Sequence, residues 1–209
     1  MNQKNYLIIG ASGGIGKAMV KQLIEMSANN KSSGKIFATY HTNQPDFAAD
    51  NLYWLPMDVS DEKSIEQAIA DIKQQTTHID WAINCVGLLH TPHNQPEKAL
   101  RQLETDFFLQ NMQINALASL LIAKHKAALN MGMKNLSIEW SRSLKDVCVV
   151  VMQPGTVDTQ LSSPFQGNVA DEKLFSPAYS AQCLLEVLDR MTSAQSGCFV
   201  DWAGESIAW

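Results

Sequence analysis

The stretch 6–16 combines an apolar run with spaced glycines, a pattern suited to binding a phosphate group. Four apolar residues precede Gly10, Gly14 and Gly16, and an apolar-periodic segment typical of a helix follows. Glycine permits a tight strand-to-helix turn, and it lets a pyrophosphate approach bare N–H groups at the helix N-terminus, where the dipole favours an anion. A small-residue loop packed under a helix would show the same G-x-x-x-G-x-G spacing. At the first strand-to-helix turn the pattern favours a dinucleotide site, comprising Gly10, Ser12, Gly14, Ile15 and Gly16.

The end of the second apolar run, 35–40, bears on which nicotinamide cofactor such a site would take. An acidic residue there would bond the ribose 2′-hydroxyl and select NAD. This chain has Tyr40, His41 and Thr42 instead, so no carboxylate repels a 2′-phosphate, and His41 with two hydroxyls could bond one. No Arg stands in the glycine turn, where Gly13 takes the place that a basic residue often occupies. NADP(H) is therefore favoured, with NAD(H) as the alternative.

Alternating strands and helices must position these groups. Apolar runs and helical periodicity predict strands at 6–9, 35–40, 52–55, 79–85 and 147–152, and helices at 15–28 and from Ser60 onward. Ser60 and Asp61 supply the N-cap signal of that second helix. The stretch 28–34 predicts a polar turn, and 41–51 a loop with at most a short helix. The succession of β-α units predicts an α/β, Rossmann-type doubly wound parallel sheet in one domain, 1–209.

The alternation stops between 96 and 141, where periodicity predicts two consecutive helices, 100–124 and 126–141. A doubly wound fold needs a buried strand and its loops between them, on the order of 15–35 residues. We infer that this strand-five segment is missing between His125 and Lys126. It is either truly deleted or present in the protein and omitted from the sequence as given. We favour the second interpretation, because the loss of a central strand would expose two sheet edges.

Composition limits the classes of partner. The chain has 209 residues, of which 45% are hydrophobic, enough to bury a sizeable core. Its formal net charge of −5, without a basic run, argues against nucleic acid. No apolar stretch is long enough to span a membrane, the first strand begins too early for a signal peptide, and the four cysteines are scattered. We therefore expect a cytoplasmic protein without membrane contact and, since His41, His90 and His93 lack partners at ligand spacing, without a metal.

Several ordered motifs resemble those of the short-chain dehydrogenase/reductase family over nearly the whole chain. Besides the glycine turn, the matching segments are Asp58-Val59, Asn84-Cys85-Val86-Gly87, Asn115, Lys126-Ala127-Ala128-Leu129-Asn130 and Pro154-Gly155-Thr156-Val157-Asp158-Thr159. The ending 197–209, with Phe199-Val200-Asp201-Trp202 and Trp209, is most similar to the C-factor (C-signal) branch of that family.

The resemblance implies a role for each matching segment. Asp58 and Val59 would hold the adenine, and Asn84, Cys85 and Gly87 would contribute to cofactor binding, with Cys85 in place of the family's second Asn. The loop folding over the nicotinamide would contain the cofactor-binding residues Pro154, Gly155, Val157 and Thr159. The two catalytic candidates are Asn115, which would hold a water in a proton relay, and Lys126, which would also hold the nicotinamide ribose.

Each of these residues also has an ordinary structural interpretation. Asn115 could bond a neighbouring helical turn, Lys126 could be a solvated surface lysine, and Asp58 could simply flank the helix that follows it. The Pro-Gly pair would end a strand in any fold. Trp202 and Trp209 are better explained by packing or subunit contact than by a substrate site.

The chain lacks the tyrosine that serves as the proton-donating acid in the family. The family uses the Tyr of Tyr-x-x-x-Lys, assisted by a Ser on strand five, but Ile122 stands four residues before Lys126 and the motif occurs nowhere in the sequence. Both residues would lie in the missing segment. If the segment is present, an ammonium such as that of Lys126 would favour the phenolate of a Tyr whose unperturbed pKa is near 10. Hydride would then pass from the cofactor to a carbonyl.

The sequence leaves three functional hypotheses, of which the third fits its motifs least. The favoured one is an NAD(P)-dependent oxidoreductase acting on a small carbonyl or alcohol substrate. The alternative is a non-catalytic nucleotide-binding or C-factor-like signalling protein on the same fold, which needs no acid. A purely structural protein would not require the glycine turn, Asp58 and the Pro-Gly loop together. The loop 88–96 and the segment 160–177, which we expect to be a lid, do not identify the substrate. The resemblance implies a homodimer or homotetramer, because the family associates through two long helices.

Overall fold

The computed structural model describes residues 4–30, 34–96, 99–127 and 147–208. The strands are β1 Tyr6–Ile9, β2 Ile36–Tyr40, β3 Leu52–Pro56, β4 Trp81–Asn84, β5 Val150–Gln153, β6 Thr156–Val157, β7 Leu174–Phe175 and β8 Cys198–Asp201. The helices are α1 Gly14–Asn30, α2 Glu62–Gln75, α3 Thr105–Met112, α4 Ala118–Ala127 and α5 Pro177–Arg190. A π-helical turn, Gln113–Leu117, joins α3 to α4.

Four parallel strands form the principal sheet, in the order β3-β2-β1-β4. Ile8 of β1 pairs with Ala38 on one side and with Ile83 on the other. The chain therefore reverses its direction of winding beside β1, which creates the switch point where doubly wound folds bind their ligands. A second parallel pair joins β5 to β8, and a short one joins β6 to β7. Among the described strands none connects β4 to β5, the place where the sequence analysis puts the missing strand.

Both faces of the sheet are covered, because β1 contributes side chains to two separate cores. Leu7 and Ile9 belong to a cluster with α2 and α4, whose buried members include Ile65, Ile69 and Ile122. Ile8 belongs to the opposite cluster, formed with α1 and α5, whose buried members include Met19, Val20, Leu23, Ala181, Leu184 and Leu185. This helix–sheet–helix layering around a parallel sheet confirms the predicted Rossmann-type fold.

The start of α2 shows how local sequence fixes an element at the site. The side chain of Asp61 is the N-cap and accepts from the Lys63 N–H at 3.0 Å. Ser60, expected to share that role, instead donates from its N–H and its hydroxyl to Asp58, at 2.8 and 2.6 Å. The four buried side chains of α2, Ile65, Ala68, Ile69 and Ile72, lie at helical spacing against the sheet.

The prediction of a break between helices at 124–126 is wrong. The described helix runs without interruption from Thr105, through the π-helical turn, to Ala127. The residues around His125 include no glycine or proline that would end the backbone ladder. The segment 100–102 is a separate 3₁₀ turn, so the long helix begins later than predicted. Most of the predicted second helix, 128–141, lies outside the described residues.

Other boundaries differ by a few residues. Helix α1 continues to Asn30, two residues into the predicted polar turn, β4 is shorter than the predicted 79–85, and β5 begins at Val150 rather than 147. The loop 41–51 contains no helix, as the scarcity of apolar positions indicated. No helix among the described residues is long and apolar enough to cross a membrane.

Candidate functional site

The carboxyl ends of the four parallel strands bring the predicted site residues to one edge of the sheet. Gly10 follows β1, His41 follows β2, Asp58 lies just beyond β3, and Gly87 follows β4. Parallel pairing in register places these ends side by side. The predicted residues were separated by tens of positions in the sequence, and the sheet order gathers them around the switch point beside β1.

The glycine turn has the backbone conformation that the spacing predicted. Gly10 has φ of 76°, and a Cβ there would come within 2.8 Å of the Val86 side chain. A Cβ on Gly16 would overlap the carbonyl oxygen of Gly10, so this glycine lets the start of α1 pack onto the turn. The Gly13 N–H closes the turn by donating to the Gly10 oxygen at 3.1 Å. A side chain is therefore excluded at Gly10 by conformation and by space, and at Gly16 by space.

The start of α1 fits a pyrophosphate. Because the helix begins at Gly14, the N–H groups of Gly14, Ile15 and Gly16 have no partner within it, and the helix dipole adds partial positive charge there. Ser12 and Gly14 are exposed. A Cβ on Gly14 would overlap the side chain of Thr159, which shows that the Pro-Gly loop lies directly against the glycine turn.

His41 and Asp58 form a pair at the ends of β2 and β3. Their Nε2 and Oδ2 atoms are 3.5 Å apart, with 70% of the His41 side chain and 40% of the Asp58 side chain exposed. Partial burial acts to raise the pKa of Asp58, but hydrogen bonds from Ser60 and the neighbouring His41 outweigh it, so that the pKa of this carboxyl is lowered overall. Val59 is buried beside them, and the Tyr40 ring packs edge-on against Trp54.

The end of β4 is held from two sides. The Asn84 side chain donates to Ser119 Oγ at 2.9 Å and accepts from the Val86 N–H at 3.1 Å, which ties the strand end to α4. Cys85 points into the core, where its Sγ lies 3.8 Å from Met19 Sδ. Burial raises the pKa of the Cys85 thiol to about 12, so this side chain is a packing group.

Asn115 lies in the π-helical turn and binds the loop after β4. Its Oδ1 accepts from the Leu88 N–H and its Nδ2 donates to the Leu88 carbonyl, both at 2.7 Å. Nδ2 also contacts Asn111 Oδ1 at 3.2 Å. A π-helical turn widens the helix locally and often marks a functional position. The side-chain amide of Asn115 is thus engaged in holding the loop.

Lys126 lies on the same helix as Asn115, eleven residues later. At a rise of 1.5 Å per residue this places it about 16 Å further along the axis, so the described helix does not bring the two predicted catalytic residues together. Ile122, at the position of the family's acid, is only 6% exposed and packs into the core with α2. Its alkyl side chain has no proton to donate.

The Pro154–Gly155 turn is backed by aromatic rings. Gly155 has φ of 75°, and a Cβ there would come within 2.7 Å of the Phe175 ring. Phe175 and Trp202 pack edge to face with their centroids 4.8 Å apart. Trp202, predicted to be a packing residue, therefore buttresses this turn, while Trp209 lies outside the described residues. Val157 is buried just beyond the turn, and Thr159 reaches the glycine turn.

Two contacts between loops were not predicted. His90 Nε2 donates to the Gln160 carbonyl oxygen at 3.0 Å, which connects the loop 88–96 to the segment 160–177. The Leu161 side chain is the nearest group to the free face of Gly87, 3.4 Å from where a Cβ would stand. The sequence carried no signal for either contact, because both depend on how two irregular loops meet.

Comparison with known proteins agrees with the geometry. Residues 4–125 match the sequence profile of the family described as short chain dehydrogenase, and the match ends at His125, where the sequence analysis placed the missing segment. An uncharacterized oxidoreductase of Staphylococcus haemolyticus is 28% identical over 91 residues, which are 44% of this chain and 39% of that protein. The chain therefore spans well under half the length of that relative.

Two longer similarities cover most of the chain. Benzil reductase ((S)-benzoin forming) of Bacillus cereus is 22% identical over 244 residues, covering 88% of this chain and 93% of that protein. This aligned length exceeds the 209 residues present here, so the reductase contains positions without a counterpart. The NADPH-bound carbonyl reductase from chicken fatty liver has the same fold, with a TM-score of 0.82, 20% identity, and coverage of 100% of this chain and 95% of that one. Since the family profile matches more than half of its residues, this chain belongs to the short-chain dehydrogenase family.

Proposed function

We propose that this protein is an oxidoreductase that transfers hydride between NADP(H) and a small carbonyl or alcohol substrate, with NAD(H) as the alternative cofactor. The observation that carries the proposal is the arrangement at the carboxyl edge of the four-stranded sheet. The glycine turn and the His41–Asp58 pair lie there, and Thr159 of the Pro-Gly loop packs against Gly14 of that turn. In that order they fit the pyrophosphate, the adenosine and the nicotinamide of a dinucleotide. A bound nicotinamide cofactor supplies the hydride.

The chain's own groups would hold the cofactor mainly through its backbone. The N–H groups at the start of α1 would bind the pyrophosphate, with the Ser12 hydroxyl beside them. The Asp58 carboxylate is charged near neutral pH, and its lowered pKa keeps it charged further into the acid range, so that it would accept hydrogen bonds from the adenine end. The strand end at Asn84 and Gly87 would flank the nicotinamide half, opposite the loop that contains Val157 and Thr159.

The proton that accompanies hydride transfer needs an acid that the given sequence lacks. Ile122 cannot provide it, and no Tyr-x-x-x-Lys motif occurs. We propose that the acid belongs to residues that the complete protein carries between His125 and Lys126, and that Lys126 then lies beside it. Asn115 would hold the loop after β4 in place for the substrate.

Exposed apolar side chains on the two loops beside Gly87 favour a carbonyl substrate with apolar substituents. Leu161 stands against Gly87, and Leu89 and Phe165 on the same two loops are also exposed. The names of two relatives, a benzil reductase and a carbonyl reductase, point to the same substrate class. Four free cysteines among the described residues suit the reducing cytoplasm, which we propose as its location.

A second candidate is favoured by one observation, the missing acid. If His125 is bonded directly to Lys126 in the natural protein, the nucleotide site would remain and proton donation would not. The protein would then bind the dinucleotide without turning it over, as a signalling protein of the C-factor type.

Peptide mapping across His125–Lys126 of the natural protein, followed by calorimetric titration with NADPH and NADH, tests the proposal. We expect additional residues with a Tyr four positions before Lys126, saturable cofactor binding, and oxidation of NADPH by a panel of aryl ketones and diketones. Cofactor binding with direct His125–Lys126 linkage would leave the second candidate, and no binding of either nucleotide would contradict both.

Replacement of His41 tests the cofactor preference. In His41→Ala the loss of an imidazole facing the 2′-phosphate should weaken NADPH binding about three- to tenfold while NADH changes less than about twofold. His78→Ala is the matched control, since it removes a similar His–Asp pair, 3.6 Å apart, at the opposite edge of the sheet. An equal loss of affinity for NADPH and NADH would contradict the assignment of His41 to the 2′-phosphate.

Replacement of Asp58 tests the electrostatics of the pair. A carboxyl with a lowered pKa stabilises the folded state above its usual value of 3.8, and that contribution disappears as the pH falls through the lowered value. Asp58→Asn should therefore be less stable than the native protein near neutral pH, by under about 1 kcal/mol because the group is partly exposed. In urea unfolding the difference should shrink as the pH falls below 3.8 and through the lowered value. Asp46→Asn removes the same charge from an exposed loop and should show no such trend.

The long helix supports a proposal of self-association. Phe108, Leu109, Met112 and Leu117 leave a large part of their side chains exposed on α3 and the π-helical turn. We expect a homodimer or homotetramer through this face, and Leu109→Glu should shift it to monomer in light scattering at micromolar concentration. A native protein that is already monomeric there would contradict the proposal.

A further inference from the structure

Two buried hydroxyl groups stand apart from the rest of the core. Among the polar and charged side chains of the described residues, only Thr39, 1% exposed, and Ser180, 0% exposed, are buried. They lie on different elements, β2 and α5, and belong to none of the sequence motifs. A hydroxyl buried without a hydrogen bond is costly, so the partner of each one indicates what it does.

The Thr39 hydroxyl binds the glycine turn. Its Oγ1 accepts from the Gly10 N–H at 3.1 Å, and its backbone oxygen accepts from the Ala11 N–H at 2.8 Å. One residue therefore engages two consecutive N–H groups where the chain leaves β1. The carbonyl of the same peptide unit, that of Ile9, points the opposite way and accepts from the Cys85 N–H at 2.9 Å. The peptide plane before Gly10 is thus fixed from both sides.

The Ser180 hydroxyl binds the other turn. It donates to the Pro154 carbonyl oxygen at 3.1 Å, from the first part of α5. Because a trans peptide is planar, this bond directs the N–H of Gly155 away from α5. The Phe175 ring leaves no room for a side chain at Gly155. A hydrogen bond and an aromatic contact together fix the conformation of this turn.

The segment that follows the Pro154–Gly155 turn touches the start of α1. The side chain of Thr159 fills the space that a Cβ of Gly14 would need, so the course of the loop after Gly155 and the position of the glycine turn limit one another. A dinucleotide would have to lie along both of them. Neither hydroxyl hydrogen bond belongs to the regular ladder of a helix or sheet, so each exists only to place its turn.

We infer that Thr39 and Ser180 are positioning residues for a dinucleotide: Thr39 sets the turn that receives the pyrophosphate, and Ser180 sets the turn that receives the nicotinamide. The inference rests on the proposed function for the identity of the ligand. The inference predicts that each hydroxyl affects the binding of one half of the cofactor, the pyrophosphate for Thr39 and the nicotinamide for Ser180. A general loss of stability would weaken the binding of both halves alike.

Calorimetric titration with two ligands tests the assignment: NADPH, and 2′-phospho-ADP-ribose, which lacks only the nicotinamide ring. Thr39→Val keeps the shape and removes the hydroxyl, so the Kd for both ligands should rise about tenfold, whereas Thr39→Ser keeps the hydroxyl and should stay within about twofold of the native value. Ser180→Ala should weaken NADPH by about three- to tenfold and leave 2′-phospho-ADP-ribose unchanged. Native affinities in folded Thr39→Val and Ser180→Ala, or equal losses of both ligands in Ser180→Ala, would overturn the inference.

Amide hydrogen exchange without any ligand tests the placement of the two turns independently of the proposed function. In the native protein the segments 9–12 and 154–157 should be protected far better than the loop 41–51, and each variant should lose protection only at its own turn. Exchange of both segments as fast as that loop would overturn the inference even if Thr39→Val fails to fold. A native protein with protected turns that binds neither NADPH nor NADH would refute the proposed function and the ligand assignment, while the placement of the turns would stand.

Discussion

The candidate site depends on the parallel pairing of β1 with a neighbour on each side. Leu7 and Ile9 face one core and Ile8 the other, so a slip of one residue would exchange the two faces and bury the wrong side chains. The same register fixes where each strand ends, and hence the relative positions of Gly10, the His41–Asp58 pair and the strand end at Asn84. The packing of two apolar layers thereby determines the geometry of a polar edge.

Backbone groups dominate this edge of the sheet, so few side-chain identities are needed to form it. The glycine turn, the start of α1 and the Pro154–Gly155 turn offer C=O groups, which every residue possesses, and N–H groups, which every residue except proline possesses. What the sequence must preserve is the absence of side chains at a few points, such as Gly10 and Gly155, where both φ and space exclude a Cβ. The TM-score of 0.82 at 20% identity shows that the fold is retained at low sequence identity.

Elements with strong local signals could be predicted from the sequence. The apolar run at 6–9, the glycine turn and the periodicity of α2 each depend on neighbours in the chain, and the structure confirms them within a few residues. The sequence analysis placed a helix end near His125 because a strand is missing there from the expected fold. The residues around His125 contain no signal that ends a helix, and the helix continues through them. Thr39, Ser180 and the His90–Gln160 contact could not be predicted, since each joins elements far apart in the sequence. Their residue types are common and have no characteristic spacing.

The buried thiol at the end of β4 has a consequence for the redox chemistry of the protein. Cysteine reacts with oxidants and electrophiles as the thiolate, and burial raises the pKa of Cys85 to about 12, so this thiol forms less thiolate at neutral pH than an ordinary cysteine. Met19 covers its sulfur, which also limits the access of reagents. Cysteine at this position therefore brings the volume of a small apolar side chain beside the glycine turn without introducing a site for oxidative inactivation.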